Sequence, residues 1–146
     1  MEEPFFTAEQ YSLLWYSSWQ PLVTGSYAFY KGHYDFAALS YLVLLTSLNH
    51  WRFPVMNSWR RYLDVACVQL GLWYHVIAAY FMTNAIPYYM FMGLGAISYA
   101  AGADAYERGH WWPAALFHMG VHLFGNIGHL ILYSSDSSPP EPGWLE

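Results

Sequence analysis

Three long stretches of the chain, residues 36–50, 65–102 and 111–135, carry no formal charge when histidine is neutral. A helix on a soluble surface needs a polar face opposite its apolar stripe, and these stretches have none. The pattern predicts an all-α, polytopic integral membrane protein with four transmembrane helices. The first starts at Tyr27 or Phe36 and ends at Trp51. Its strictly apolar part is short for a core of about 30 Å and extends toward Tyr30. The second runs from Tyr62 to Met82, the third from Ile86 to Ala101, and the fourth from Pro113 to Tyr133. Thr83, Asn84 and Pro87 mark a tight turn between the second and third. The segment GADAYERGH reads as a loop before the fourth.

Before the first span, aromatic residues and leucines alternate with Ser and Gln, and Pro21 and Gly25 interrupt them. That pattern predicts an interfacial N-terminal segment, residues 1–26, rather than a fifth span. A membrane domain follows over residues 27–133. The polar tail 134–146, rich in Pro and Ser, is predicted to be disordered.

Composition sharpens the membrane reading. Of the 146 residues 56% are apolar and 10% charged, against about 25% charged in an ordinary soluble domain. The net charge of −5 argues against a nucleic-acid partner. Lys31 is the only lysine, so a P-loop, a Schiff-base lysine within a span and a polybasic arm each lack their key residue. Cys67 is the only cysteine, which excludes an internal disulfide and a Cys-based zinc site. Arg52, Arg60, Arg61 and Arg108 fall in two loops that four spans place on one side. The positive-inside rule then puts both termini on the opposite side, with Lys31 as its only base. Trp51, Trp111 and Trp112 read as an aromatic belt at one interface, and Trp15, Trp19 and Tyr133 as the other.

An ionisable group within a span is costly and invites a functional reading. Asp64 is the only acid inside a predicted span. His50 ends the first span at the same depth, and His118 and His122, four apart, share one face of the fourth. Three neutral imidazoles and a water make an open zinc site of catalytic type. Asp64 would orient a ligand or the bound water, and Thr46 or Ser47 would help hold an oxyanion. The plainer alternative makes these groups helix-end and interhelical hydrogen bonders, with Asp64 facing the arginines or its helix N-terminus.

A hydroxyl and His ending one span, an Asp early in the next and H-x-x-x-H early in the last resemble the CREST superfamily. It includes alkaline ceramidases, progestin/adiponectin receptors and Per1-type proteins. The resemblance implies zinc held by His50, His118 and His122. It places Asp64 at the family's Asp and Thr46 at its hydroxyl position, and it implies hydrolysis of lipid amides. SLNHWR and HLFGNIGHL, with His122 and His129 seven apart, resemble segments of the cytochrome b anchor subunit of succinate dehydrogenase. That resemblance implies haem held by His75 together with His122 or His129, in a respiratory complex. Otherwise His75 and His129 read as packing groups.

Three functions follow. The leading expectation is a structural or accessory subunit of a larger membrane complex, touching membrane lipids and other membrane protein subunits. The small size, aromatic flanks and small residues Gly93, Gly95, Ala96 and Ala100 favour it. The alternatives are a zinc-dependent lipid amide hydrolase and a haem-binding membrane anchor.

Overall fold

The computed structural model describes residues 3–135. The expected disorder of the tail falls mostly on 136–146, outside the described residues. The described chain is all-α: α1 (Ala8–Ser17), α2 (Gln20–Tyr30), α3 (Tyr34–Trp51), α4 (Trp59–Ala79), α5 (Ala85–Glu107) and α6 (Trp111–Tyr133).

The first two helices act as one broken rod. Pro21 has no N–H to give to the Ser17 carbonyl, and its ring would strike that carbonyl in a continuous helix. The chain breaks there, and the hydroxyls of Ser17 and Ser18 turn back to the Leu14 carbonyl at 2.9 and 2.8 Å. Beyond the break α2 continues in the same direction. Ser17 touches His122 and Thr24 touches Asn126, so both helices climb alongside α6. From residue 8 to 30 the rod is about 34 Å long at 1.5 Å per residue.

The bundle therefore has five rods in up-and-down order: α1–α2, α3, α4, α5 and α6. Its inner packing joins α5 to α6, α2 to α3 and α3 to α4, with α1 and α2 also against α6. By contrast, α4 and α5 scarcely touch. At the lower end, Phe6, Leu14, Trp51, Ala105, Ala114 and Ala115 form one apolar cluster. At the upper end, Ala28, Phe36, Ala79, Tyr88 and Leu132 form another, capped by Tyr133.

Two of the connections use the same device. In Lys31-Gly32-His33 and Arg108-Gly109-His110 the glycine has a φ of 82° and 76°. His33 N–H donates to the Ala28 carbonyl, and His110 N–H to the Ala105 carbonyl, at 2.9 and 2.8 Å. This is the Schellman closure, whose left-handed position suits glycine. It ends α2 and α5 sharply and reverses the chain within three residues.

Three expectations change. The described part of the N-terminal segment 1–26 lies along the bundle: Gln10, Leu14, Ser17 and Thr24 are buried against the other rods. GADAYERGH is helical as far as Glu107, because nothing before Gly109 stops α5. The first described residues sit at the arginine-bearing end, since Phe5 N–H donates to the Pro54 carbonyl at 3.1 Å. The fifth rod is the reason: an odd number of passes sends the described ends of the chain to opposite ends of the bundle.

Candidate functional site

Polar side chains gather inside the bundle at both ends, and the inner face of α6 connects them. At the lower end, Asp64 on α4 is 7% exposed. Its Oδ1 accepts from Ser47 Oγ at 2.6 Å and from Thr46 Oγ1 at 3.1 Å. Both hydroxyls belong to α3, so the acid clips the two helices together. The Thr46 hydroxyl also lies near the Leu42 and Val43 carbonyls at 3.1 and 3.2 Å, and divides its one hydrogen among them. The arginines do not reach Asp64. Arg60 donates to the Phe53 carbonyl and Arg61 to the Met56 carbonyl, which braces the 52–58 loop instead. Among the described residues the one salt bridge joins exposed Arg108 and Asp104.

The three histidines of the expected zinc site share this end but do not converge. The buried Trp51 ring lies against each of them, with centroids 4.7 Å from His50, 4.7 Å from His118 and 6.4 Å from His122. His118 and His122 meet edge to face, with ring centroids 5.1 Å apart and planes at 81°. Among the described residues no group of three or more His, Cys, Asp or Glu is placed to hold a metal ion. His122 Nδ1 is 2.7 Å from Ser17 Oγ, and the Nδ1 of His50 meets no partner among the described residues.

Midway up, Asn126 bonds on both sides. Its Nδ2 donates to the His122 carbonyl at 2.7 Å, and its Oδ1 accepts from Thr24 Oγ1 at 3.1 Å.

At the upper end, His75 on α4 is 2% exposed. Its Nδ1 lies 2.6 Å from the Gly71 carbonyl and its Nε2 lies 2.6 Å from Tyr133 Oη. A carbonyl only accepts, so Nδ1 carries the hydrogen in the neutral ring and Nε2 accepts from Tyr133. Tyr133 in turn is 3.2 Å from Ser40 Oγ. The resulting chain runs Ser40, Tyr133, His75, Gly71, with each hydroxyl donating to the next acceptor. Phe36 stacks on His75 and Tyr133 at 4.7 and 5.1 Å. His129 lies 4.3 Å from His75 and stacks over Tyr133 at 5.7 Å and Tyr88 at 6.1 Å.

This arrangement does not fit a haem. Both His75 nitrogens are engaged, and a macrocycle has no room between rings 4.3 Å apart. His122 lies midway along α6, about 10 Å below His129 at 1.5 Å per residue.

The sequence named every imidazole of the interior, and it paired His75 with His129 only as haem ligands, with packing as the plainer alternative. It missed Tyr133, Ser40, Ser17, Thr24 and Asn126. The i, i+4, i+8, i+11, i+15 spacing of His118, His122, Asn126, His129 and Tyr133 was the available signal: all five lie on one face of α6. Comparisons with protein-family models, with curated proteins and with solved structures give no match.

Proposed function

We propose that the protein is a multi-pass integral membrane protein whose five rods all cross the bilayer, and that it serves as an accessory subunit of a larger membrane assembly. The observation that carries the reading is the inverted distribution of polarity. Leu22, Leu45, Leu70, Ile77, Ile97 and Leu116 point outward and are exposed, while His75, Asp64, Gln10 and Thr24 are buried. In water such an arrangement forfeits hydrophobic stabilisation of about 25 cal/mol for each Å² left exposed. In lipid it costs nothing, and the interior polar groups act as interhelical bonds. Trp59, Trp111 and Trp112 are exposed at the lower end and Tyr30, Tyr34 and Tyr80 at the upper, as membrane interfaces favour, while exposed Tyr16 and Trp19 lie midway along the broken rod. By length and composition α4 and α6 are each long and apolar enough to cross a membrane. The broken rod, α3 and α5 gain passage by packing in the same bundle.

The partner reading is supported by the outer face of α5. Gly93, Ala96 and Ala100 are exposed there, three and four residues apart, and offer a close approach to another helix. Purification in mild detergent is expected to yield the chain with a stoichiometric membrane partner. A lone monomer under the same conditions would contradict the accessory role.

A second reading, the metal-dependent lipid hydrolase, draws on one feature of the lower end. Asp64 holds both hydroxyls of the Thr46–Ser47 pair within the helices that carry His50, whose buried Nδ1 has no partner among the described residues. Metal analysis of the purified protein, with His118→Ala beside it, decides this reading: equimolar zinc lost in the variant supports it, and a metal-free wild type removes it.

A further inference from the structure

The inner face of α6 carries more exchangeable polar groups than helix packing requires. Read upward, it presents His118, His122, Asn126, His129 and Tyr133, and every neighbouring rod adds to it. Ser17 and Thr24 come from the broken rod, Ser40 and His50 from α3, Asp64 and His75 from α4, and Tyr88 from α5. The file begins below near Asp64 and ends above near Asp35, which accepts a hydrogen bond from Tyr74 one residue before His75.

We propose that this file is a proton path between the two ends of the bundle, completed by bound water; the proposal rests on the multi-pass membrane reading above. Three observations carry it. The first is the hydrogen-bonded run Ser40, Tyr133, His75, in which one O–H after another points toward the imidazole; its Nδ1–H faces the Gly71 carbonyl, so the proton leaves His75 only when that N–H turns from the carbonyl to a bound water. The second is a set of hydroxyls with two acceptors and one hydrogen. Ser17 Oγ faces the Leu14 carbonyl at 2.9 Å and His122 Nδ1 at 2.7 Å, and Thr24 Oγ1 faces the Pro21 carbonyl at 3.3 Å and Asn126 Oδ1 at 3.1 Å. Such a hydroxyl turns between partners at little cost. The third is that His50 Nδ1, Tyr88 Oη and His129 Nε2 are buried without a partner among the described residues. Buried polar groups are rarely left so, and an ordered water is the ordinary remedy.

The path is discontinuous without such water. His122 and His129 are about 10 Å apart along the axis, several hydrogen bonds long, and an amide side chain does not pass a proton readily. His118, His122 and His129 are half-buried, and because the gap between α4 and α5 opens on lipid in a bilayer, the water that completes the file enters from the two ends of the bundle. In each transfer an N–H or O–H bond breaks as the next forms. An imidazole receives the proton on one nitrogen and releases it from the other, so no oxidant or other reactant is consumed. Intramembrane histidines and acids in such series are the usual substance of proton relays.

The test uses the full chain reconstituted in phosphatidylcholine vesicles with a trapped pH-sensitive dye, potassium and valinomycin. After a pH jump, the wild type is expected to collapse the gradient about tenfold faster than empty vesicles, and His122→Gln and His129→Gln to remove most of that gain. Ser17→Ala, which leaves every imidazole in place, is expected to slow it as well. An unchanged helical circular dichroism spectrum separates this loss from unfolding. A wild type no faster than empty vesicles, or histidine variants as fast as wild type, overturns the proposal. Flotation of the same vesicles at alkaline pH reads the membrane assignment separately. Protein that floats but conducts nothing refutes the path alone, whereas protein left behind refutes the membrane reading and the path with it.

Discussion

Asp64 is the one buried acid among the described residues, and its surroundings say what it is for. It meets two hydroxyls of α3 and none of the arginines nearby in sequence. An amide accepts the same two hydrogen bonds, so Asp64→Asn is expected to shift stability by less than about 1 kcal/mol, while Asp64→Leu strands both hydroxyls and costs about 1–3 kcal/mol. Denaturant titration in detergent micelles measures both. Tyr133 makes the complementary case at the other end. Tyr133→Phe removes the hydrogen that His75 Nε2 accepts and the partner of Ser40, an expected loss of about 1–3 kcal/mol by the same assay. An equal effect of Asp64→Asn and Asp64→Leu would contradict the role given to the acid. Asp64, His118 and His122 were legible in the sequence because charge and imidazole are conspicuous among Leu and Phe. Tyr133 and Ser40 were not, since nothing local separates a buried tyrosine from the many at the interfaces.

At the scale of elements, the seam between α5 and α6 depends on missing side chains. A Cβ on Gly102 would lie 3.2 Å from Phe117 Cβ and 3.4 Å from the Ala114 carbonyl, and neither atom can swing aside. A Cβ on Gly93 would meet nothing within 4 Å. Gly102→Val is therefore expected to push the helices apart at a cost of about 1–3 kcal/mol. Gly93→Val stays within about 0.5 kcal/mol in the isolated chain, where only helix propensity changes. Melting temperature in detergent checks the pair. The apolar runs made α3 to α6 legible to within a few residues at most boundaries. The sequence also marked small residues as a contact surface, but of the four it named only Gly95 is buried, and Gly93, Ala96 and Ala100 face outward. The face of a helix that turns inward is set by its neighbours, and a run apolar all round does not announce it. The broken rod escaped for a different reason. Pro21 and Gly25 read as interruptions, yet Pro21 only breaks the rod, and Gly25 is where α2 closes on α3: a Cβ there would lie 2.9 Å from the Tyr41 ring.

At the scale of the molecule, that one rod decides the topology. Four passes put the N-terminus with Lys31; five put it with Arg52, Arg60 and Arg61, where Phe5 bonds to Pro54. The arginine loops remain together in both arrangements, which is why the charge pattern alone did not distinguish them. The most direct measurement is one-sided labelling of single cysteines with an impermeant maleimide, in a Cys67→Ser background, on sealed vesicles of uniform orientation. The account expects Glu3→Cys and Asn57→Cys to react from one side and Lys31→Cys and Thr83→Cys from the other. Labelling of positions 3 and 31 from the same side would contradict it.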